Sequence, residues 1–134
     1  MLENPFNYLR KYRYISLTTF YRNGKGVATP VEFAEKDGRL YVNTRKESWK
    51  VKRIRQNPNA KIAPCTIRGK ILGEVMNVTV RFLSKDEEVS LAEQALDEKL
   101  NTRINKIFLL LFKILGKIRF WKKPEERLFL EISP

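Results

Sequence analysis

From Tyr14 onward, apolar and polar side chains follow one another at the period of a strand. Tyr14, Ser16, Thr18 and Phe20 alternate with Ile15, Leu17, Thr19 and Tyr21. Both faces of a strand over 14–22 are therefore semi-apolar, which suits a small barrel whose outer face is also covered. Asn23-Gly-Lys-Gly26 is a turn signal, and a second strand is expected over Val27–Glu35, closed by Lys36-Asp-Gly38. Pro30 inside it cannot donate to a ladder and belongs at a bulge or a sheet edge. A third strand covers Arg39–Thr44. Strands four and five read as Ala60–Ile67, with Pro64 inside, and Gly73–Leu83, where Val75, Asn77, Thr79 and Arg81 alternate with Met76, Val78, Val80 and Phe82. Glu126–Ser133 is the last.

The period changes to that of a helix in three places. Residues 45–58 predict a helix carrying six Lys or Arg against one Glu. Ser84-Lys-Asp-Glu87 has the spacing of a capping box and opens a helix to about Lys99, with Val89, Ala92, Leu96 and Leu100 as its buried stripe. A further helix is expected from about Arg103 to Lys117. Residues 1–13 read as a lead-in helix or arm, with Tyr8, Leu9 and Tyr12 at helical spacing. The expectation is one mainly β (α+β) domain over 1–134, a sandwich or barrel, with a helical excursion at about 85–118 between its last two strands.

Charge and missing residue types narrow the chemistry. The chain of 134 residues carries a net charge of +12, so its surface attracts anions: nucleic acid, anionic lipid, or a phosphorylated or carboxylated small molecule. There is no histidine, which removes Ser-His-Asp and Cys-His catalysis and histidine-based zinc sites. One cysteine, Cys65, excludes an intramolecular disulfide and a cysteine metal cluster, and its apolar run reads as a buried thiol. No metal site is expected. The longest apolar run, Ile107–Phe112, is far too short to span a bilayer, and no signal peptide is evident, so a cytoplasmic protein is expected.

Two constellations carry candidate chemistry. The first is Thr44, Arg45, Ser48, Trp49, Lys50 and Arg53. Ser48 is placed to cap the basic helix, whose first N–H groups lack internal partners. Those donors, the helix dipole, a bidentate Arg45 and the point charge of Lys50 together make an anion site. The competing reading is a solvated basic helix with Trp49, Val51 and Ile54 turned to the core. The second is Thr29-Pro30-Val31, where a strand-breaking proline leaves backbone groups for the edge of a heteroaromatic ring; the competing reading is a simple edge bulge. Arg103–Lys123, with seven basic residues and no acid around Phe108, Phe112, Phe120 and Trp121, suits an anionic surface or apolar packing.

Leu17-Thr-Thr-Phe20, Ala28-Thr-Pro-Val31, Asp37-Gly-Arg-Leu-Tyr-Val42, Ser48–Pro58 and Ala63-Pro-Cys65, in this order and spacing, resemble the pyridoxamine-phosphate-oxidase-like split-barrel superfamily. Within it the chain is most similar to the small flavin/deazaflavin oxidoreductases that use the deazaflavin F420. The resemblance implies a six-stranded antiparallel split β-barrel with flanking helices, and a homodimer with two cofactor sites at its interface. It implies a cofactor phosphate held by Thr44, Ser48, Trp49 and Lys50, and a flavin-type ring against Thr29, Pro30 and Val31; Arg45 and Arg53 are added on physical grounds. Glu32 and Asn59 depart from the pattern, which often has Trp and a basic residue there.

The leading expectation is an oxidoreductase that binds F420 or FMN and passes a hydride to or from a small organic substrate. No residue is singled out as catalytic, with Tyr41, Tyr14 or water open as proton donors. The alternatives are a non-catalytic flavin or F420 binder, and a basic protein bound to nucleic acid or an anionic membrane surface.

Overall fold

The computed structural model describes residues 4–103 and 127–134. A 3-10 turn, Asn7–Leu9, leads into strands β1 (Tyr14–Phe20), β2 (Gly26–Glu32), β3 (Ala34–Lys36) and β4 (Arg39–Arg45). Helix α1 (Trp49–Gln56), strands β5 (Asn59–Cys65) and β6 (Met76–Phe82), helix α2 (Asp86–Arg103) and strand β7 (Arg127–Ser133) follow. Every pairing is antiparallel, in the order β2-β1-β5-β6-β7-β4-β3.

The two ends of that order are neighbours in the chain, separated only by Phe33. β2 pairs with β1 while β3 pairs with β4, so one bent strand joins both edges of a curled sheet. This is the split barrel. The expected second strand, Val27–Glu35, is thus two segments, giving seven strands rather than six. The physical cause is at the bend: Phe33 and Ala34 are both buried in succession, breaking the alternation that β2 keeps from Gly26 to Glu32.

Pro30 sits on this terminal strand without a bulge, its register with β1 unbroken from Tyr14↔Glu32 to Phe20↔Gly26. Pro64 explains why β6 starts at Met76 instead of Gly73. The β5–β6 ladder ends at Ile62↔Met76; Pro64 has no N–H to extend it, and its carbonyl accepts from the Leu72 N–H at 2.8 Å. β5 itself ends at Cys65 because Thr66–Lys70 turns, with Gly69 at φ +90°.

Ile15, Leu17, Leu40, Val42, Ile62 and Leu130 fill the barrel, and Val51 and Ile54 of α1 are buried at its end. α2 lies on the outside, where Ala92 packs with Leu83 and Phe129 while Val89 and Leu96 flank them. The capping box does not form: α2 starts at Asp86, which puts Ser84 one position too early to cap it. Asp86, Glu87 and Glu88 instead set acidic charge on the first turn. α2 also runs past Lys99 to Arg103, and the helix expected to about Lys117 lies outside the described residues. Among the described residues no helix is long and apolar enough to cross a membrane.

Candidate functional site

At the end of β4 the chain delivers Thr44 inward and Arg45 outward, following the strand period: Leu40, Val42 and Thr44 are buried, Asn43 and Arg45 exposed. The backbone then turns, with the Ser48 N–H donating to the Arg45 carbonyl at 3.2 Å, and α1 begins at Trp49. Ser48 holds the N-cap position in an extended conformation, yet its side chain makes no capping hydrogen bond, contrary to expectation. Its Oγ is buried without a hydrogen-bond partner among the described residues. A buried hydroxyl and the unfilled N–H groups of the first helical turn therefore lie side by side.

Along α1, Val51 and Ile54 form the buried stripe, as the packing reading had it. Trp49 does not join them. It stands two residues before Val51, about 200° round the helix, and is 68% exposed, with Lys52 Nζ 4.3 Å from its ring centroid.

The cations of this segment are placed unequally. Arg53 is only 6% exposed; its Nε donates to Thr19 Oγ1 at 2.6 Å, and its guanidinium carbon lies 5.3 Å from the Tyr21 ring centroid. Lys50 is half-buried, and its ammonium pKa is lowered by burial first, then by Arg53 and by Arg127. Arg127 begins β7 directly opposite Arg45 across the β4–β7 ladder. The ion pairs among the described residues join Arg10 to Glu35, Arg13 to Glu32, and Arg81 to both Glu88 and Glu131. Arg45, Lys50, Arg53 and Arg127 take part in none of them. Cations set together, from exposed Arg45 to buried Arg53, with no ion-pair partner among the described residues favour an anion beside them.

The ladder between β1 and β2 connects this cluster to the second constellation. Val27 faces Thr19, Thr29 faces Leu17 and Val31 faces Ile15, so Thr29 and Val31 share the face on which Arg53 meets Thr19. Thr29 lies one two-residue step beyond Val27, about 7 Å along the strand. Pro30, opposite Ser16, points to the other face and parts from its neighbours. Thr44, Ser48, Lys50 and Arg53 thus gather at one end, with Thr29 and Val31 leading away from it, while Trp49, Arg45 and Pro30 turn outward. Thr19, Tyr21 and Arg127 are additions that local pattern does not show.

Tyr41 is removed from the site. It faces away from Thr44, toward α2, and its hydroxyl donates to Glu131 Oε2 at 3.5 Å; burial and then Glu131 raise its pKa. A cleft of about 650 Å³ between Arg10, Glu35, Arg39 and Pro134 is also a poor receptor. Its Glu35 carboxylate, 1% exposed, is already held by Arg10 at 2.9 Å and by Asn4. Among the described residues no group of acids, cysteines or histidines could hold a metal.

Lys50 gives the site a signature in pH. Between its lowered folded pKa and the ordinary 10.5, the unfolded chain keeps a proton that the folded chain has lost, so stability rises with pH across that window. An anion favours the protonated form, so affinity should fall through the same window. Titrating a phosphorylated ligand from pH 7 to 10 against wild type and Lys50→Met checks this; parallel curves would remove Lys50 from the site.

The family described as pyridoxamine 5'-phosphate oxidase matches residues 6–134 of this chain. No curated protein matches it. Among solved structures it resembles a candidate pyridoxamine 5'-phosphate oxidase from Listeria innocua, at TM-score 0.61 and 15% identity over 94% of this chain and 86% of that one. An FAD-binding protein from Mesorhizobium loti aligns at TM-score 0.59 and 17% identity, covering 93% and 81%. The heme storage protein HutZ from Vibrio cholerae aligns at TM-score 0.62 and 13% identity, covering 99% and 89%. At such identities the likeness is one of fold.

Proposed function

The chain belongs to the pyridoxamine 5'-phosphate oxidase family, and from that premise we propose that it binds a flavin-type cofactor, FMN or F420, and serves as an oxidoreductase on a small organic substrate. The observation that carries the reading is the cluster of cations at the start of α1 that make no ion pair among the described residues. Lys50 and Arg53 supply charge there, and Ser48 Oγ and the first helical N–H groups supply unfilled donors. These residues suit a phosphate group. When bound, the cofactor supplies hydride transfer. The chain's own part is to hold the phosphate end, to lay the ring along Thr29 and Val31, and to keep water from its inner side with the barrel wall.

We place a second copy of the chain at the open side. β2 ends the sheet order, so its outer backbone edge has no strand partner among the described residues, and Thr29 and Val31 are only half-buried. A homodimer that covers this edge would complete the ring site.

The heme named for one structural relative finds less support. The chain has no histidine for an axial ligand, and Cys65 is buried, with its thiol pKa raised by that burial.

Fluorescence titration of the purified protein with FMN and with F420, at low and high salt, tests the proposal. The expected result is tight binding of one cofactor that survives high salt, followed by turnover of its reduced form with an electron acceptor. Binding without turnover would leave a cofactor carrier instead of an enzyme. Binding of neither, or only loose binding abolished by salt, would point to a charge-driven partner such as nucleic acid or an anionic membrane.

A further inference from the structure

The four cations of the cluster fall into two tiers, and the second is one more than a phosphate monoester needs. The inner tier is Arg53, 6% exposed, with Lys50 half-buried beside it. The outer tier is Arg45 and Arg127, exposed and half-buried respectively, facing each other as the first rungs of the β4–β7 ladder. Directly opposed residues in an antiparallel pair hold their Cβ atoms about 5 Å apart, and like charges there destabilise the sheet. Neither arginine has an acidic partner among the described residues. An opposed Arg–Arg pair with no acidic partner among the described residues is relieved by an anion seated between the two guanidinium groups.

We propose that Arg45 and Arg127 form a second anion subsite, so that the ligand carries two anionic groups in line: one seated at Ser48, Lys50 and Arg53, the next on the arginine pair. The inference rests on the cofactor reading above and deepens it. A diphosphate has this chemistry, and so does a phosphate followed by carboxylates; a phosphate monoester leaves the outer tier empty. Lys50 and Arg53 share helix α1, which follows Arg45 of β4 after the three residues 46–48, so the two tiers are joined through the chain itself. Two guanidinium forks can each grip an anion bidentately, which lysines at these positions could not do.

The test compares ligands that all carry a flavin-type tricyclic ring, isoalloxazine or deazaflavin, but differ in anionic groups. Wild type, Arg127→Gln and Arg45→Gln are titrated with FMN (one phosphate), FAD (two) and F420 (a phosphate and carboxylates). We expect FAD or F420 to bind more tightly than FMN, and each variant to reduce that preference about tenfold, the scale of one charge-assisted hydrogen-bonded contact. Which ligand shows the preference identifies the second anion. A preference unchanged in both variants, an equal loss for all three ligands, or tighter binding of FMN than of either polyanion would overturn the proposal. If no flavin-type ligand binds, the cofactor reading fails and the subsite is tested alone, by thermal shift with inorganic phosphate and pyrophosphate. Stronger protection by pyrophosphate, lost in Arg127→Gln, would uphold it; equal protection would sink it.

Discussion

Replacing Arg53 by methionine should sharply weaken cofactor binding and, in the same step, raise the melting temperature of the cofactor-free protein. Both effects follow from one placement. Arg53 is 6% exposed and its guanidinium meets a hydroxyl, Thr19 Oγ1, rather than a carboxylate. Burying a cation without a counter-charge costs several kcal/mol of desolvation, and one hydrogen bond to a neutral hydroxyl and a tyrosine ring return only part of it. An apolar side chain of similar length removes that cost, so the free protein should gain about 1–3 kcal/mol. The loss on the ligand side is larger than a single contact. Hydrogen bonds to charged groups contribute about 1.5–3 kcal/mol each, and a guanidinium can make two of them to one phosphate, so affinity should drop by about 100-fold or more. The paired variant Arg53→Met with Thr19→Val separates the hydroxyl's own requirement from that of the cation, because methionine alone leaves Thr19 without its donor. Calorimetry of the free protein and a cofactor titration decide the matter. A variant that binds normally would show Arg53 to be a packing residue. One that loses stability as well as affinity would show that the buried charge is compensated in a way the geometry does not reveal.

The same residue shows what a single sequence exposes and what it hides. The helix that carries Ser48, Lys50 and Arg53 is local: a strand ends, the period changes, and cations accumulate within one turn, all legible from the order of residues. The strands are legible for the same reason, since alternation at Tyr14–Phe20 or Met76–Phe82 is a property of neighbours. What decides the chemistry is non-local. Nothing around Arg127 in the sequence indicates that it faces Arg45, because that depends on the β4–β7 register; nothing around Thr19 indicates that it receives Arg53. The depth of each cation is hidden too: Lys52 and Arg53 are adjacent and alike in type, yet one is exposed on the Trp49 ring and the other is buried. The orientation of Trp49 was open to a helical-wheel argument from Val51 and Ile54. The unused capping hydroxyl of Ser48 was not, because the sequence pattern for a cap is the same whether or not the side chain makes the bond.

The bend between β2 and β3, which the local pattern runs together as one strand, supports the second large prediction: Phe33→Ala should destabilise the protein by about 3–5 kcal/mol, the scale for truncating a fully buried phenylalanine. That would be a large share of a domain's total of about 5–15 kcal/mol. Phe33 is 1% exposed and is the one residue between the strand that pairs with β1 and the strand that pairs with β4. Its ring also receives Lys99 Nζ at 3.3 Å from the centroid, while the same ammonium donates to the Tyr12 carbonyl at 2.8 Å. The side chain therefore joins three things at once: the bend that closes the barrel, helix α2, and the segment leading into β1. Phe33→Leu keeps most of the apolar volume and discards the ring face, so its smaller loss should isolate the cation–π part, about 0.5–2 kcal/mol. Urea denaturation of both variants gives the numbers. A cost below about 1 kcal/mol for alanine would mean the site can collapse without a cavity, and that Phe33 does not hold the closure. The functional consequence separates these cases further. Thr29 and Val31 lie just before the bend on β2, and α1 follows the strand that pairs with β3 just after it. If Phe33 sets the angle between them, Phe33→Ala should weaken cofactor binding at temperatures where the protein is still fully folded.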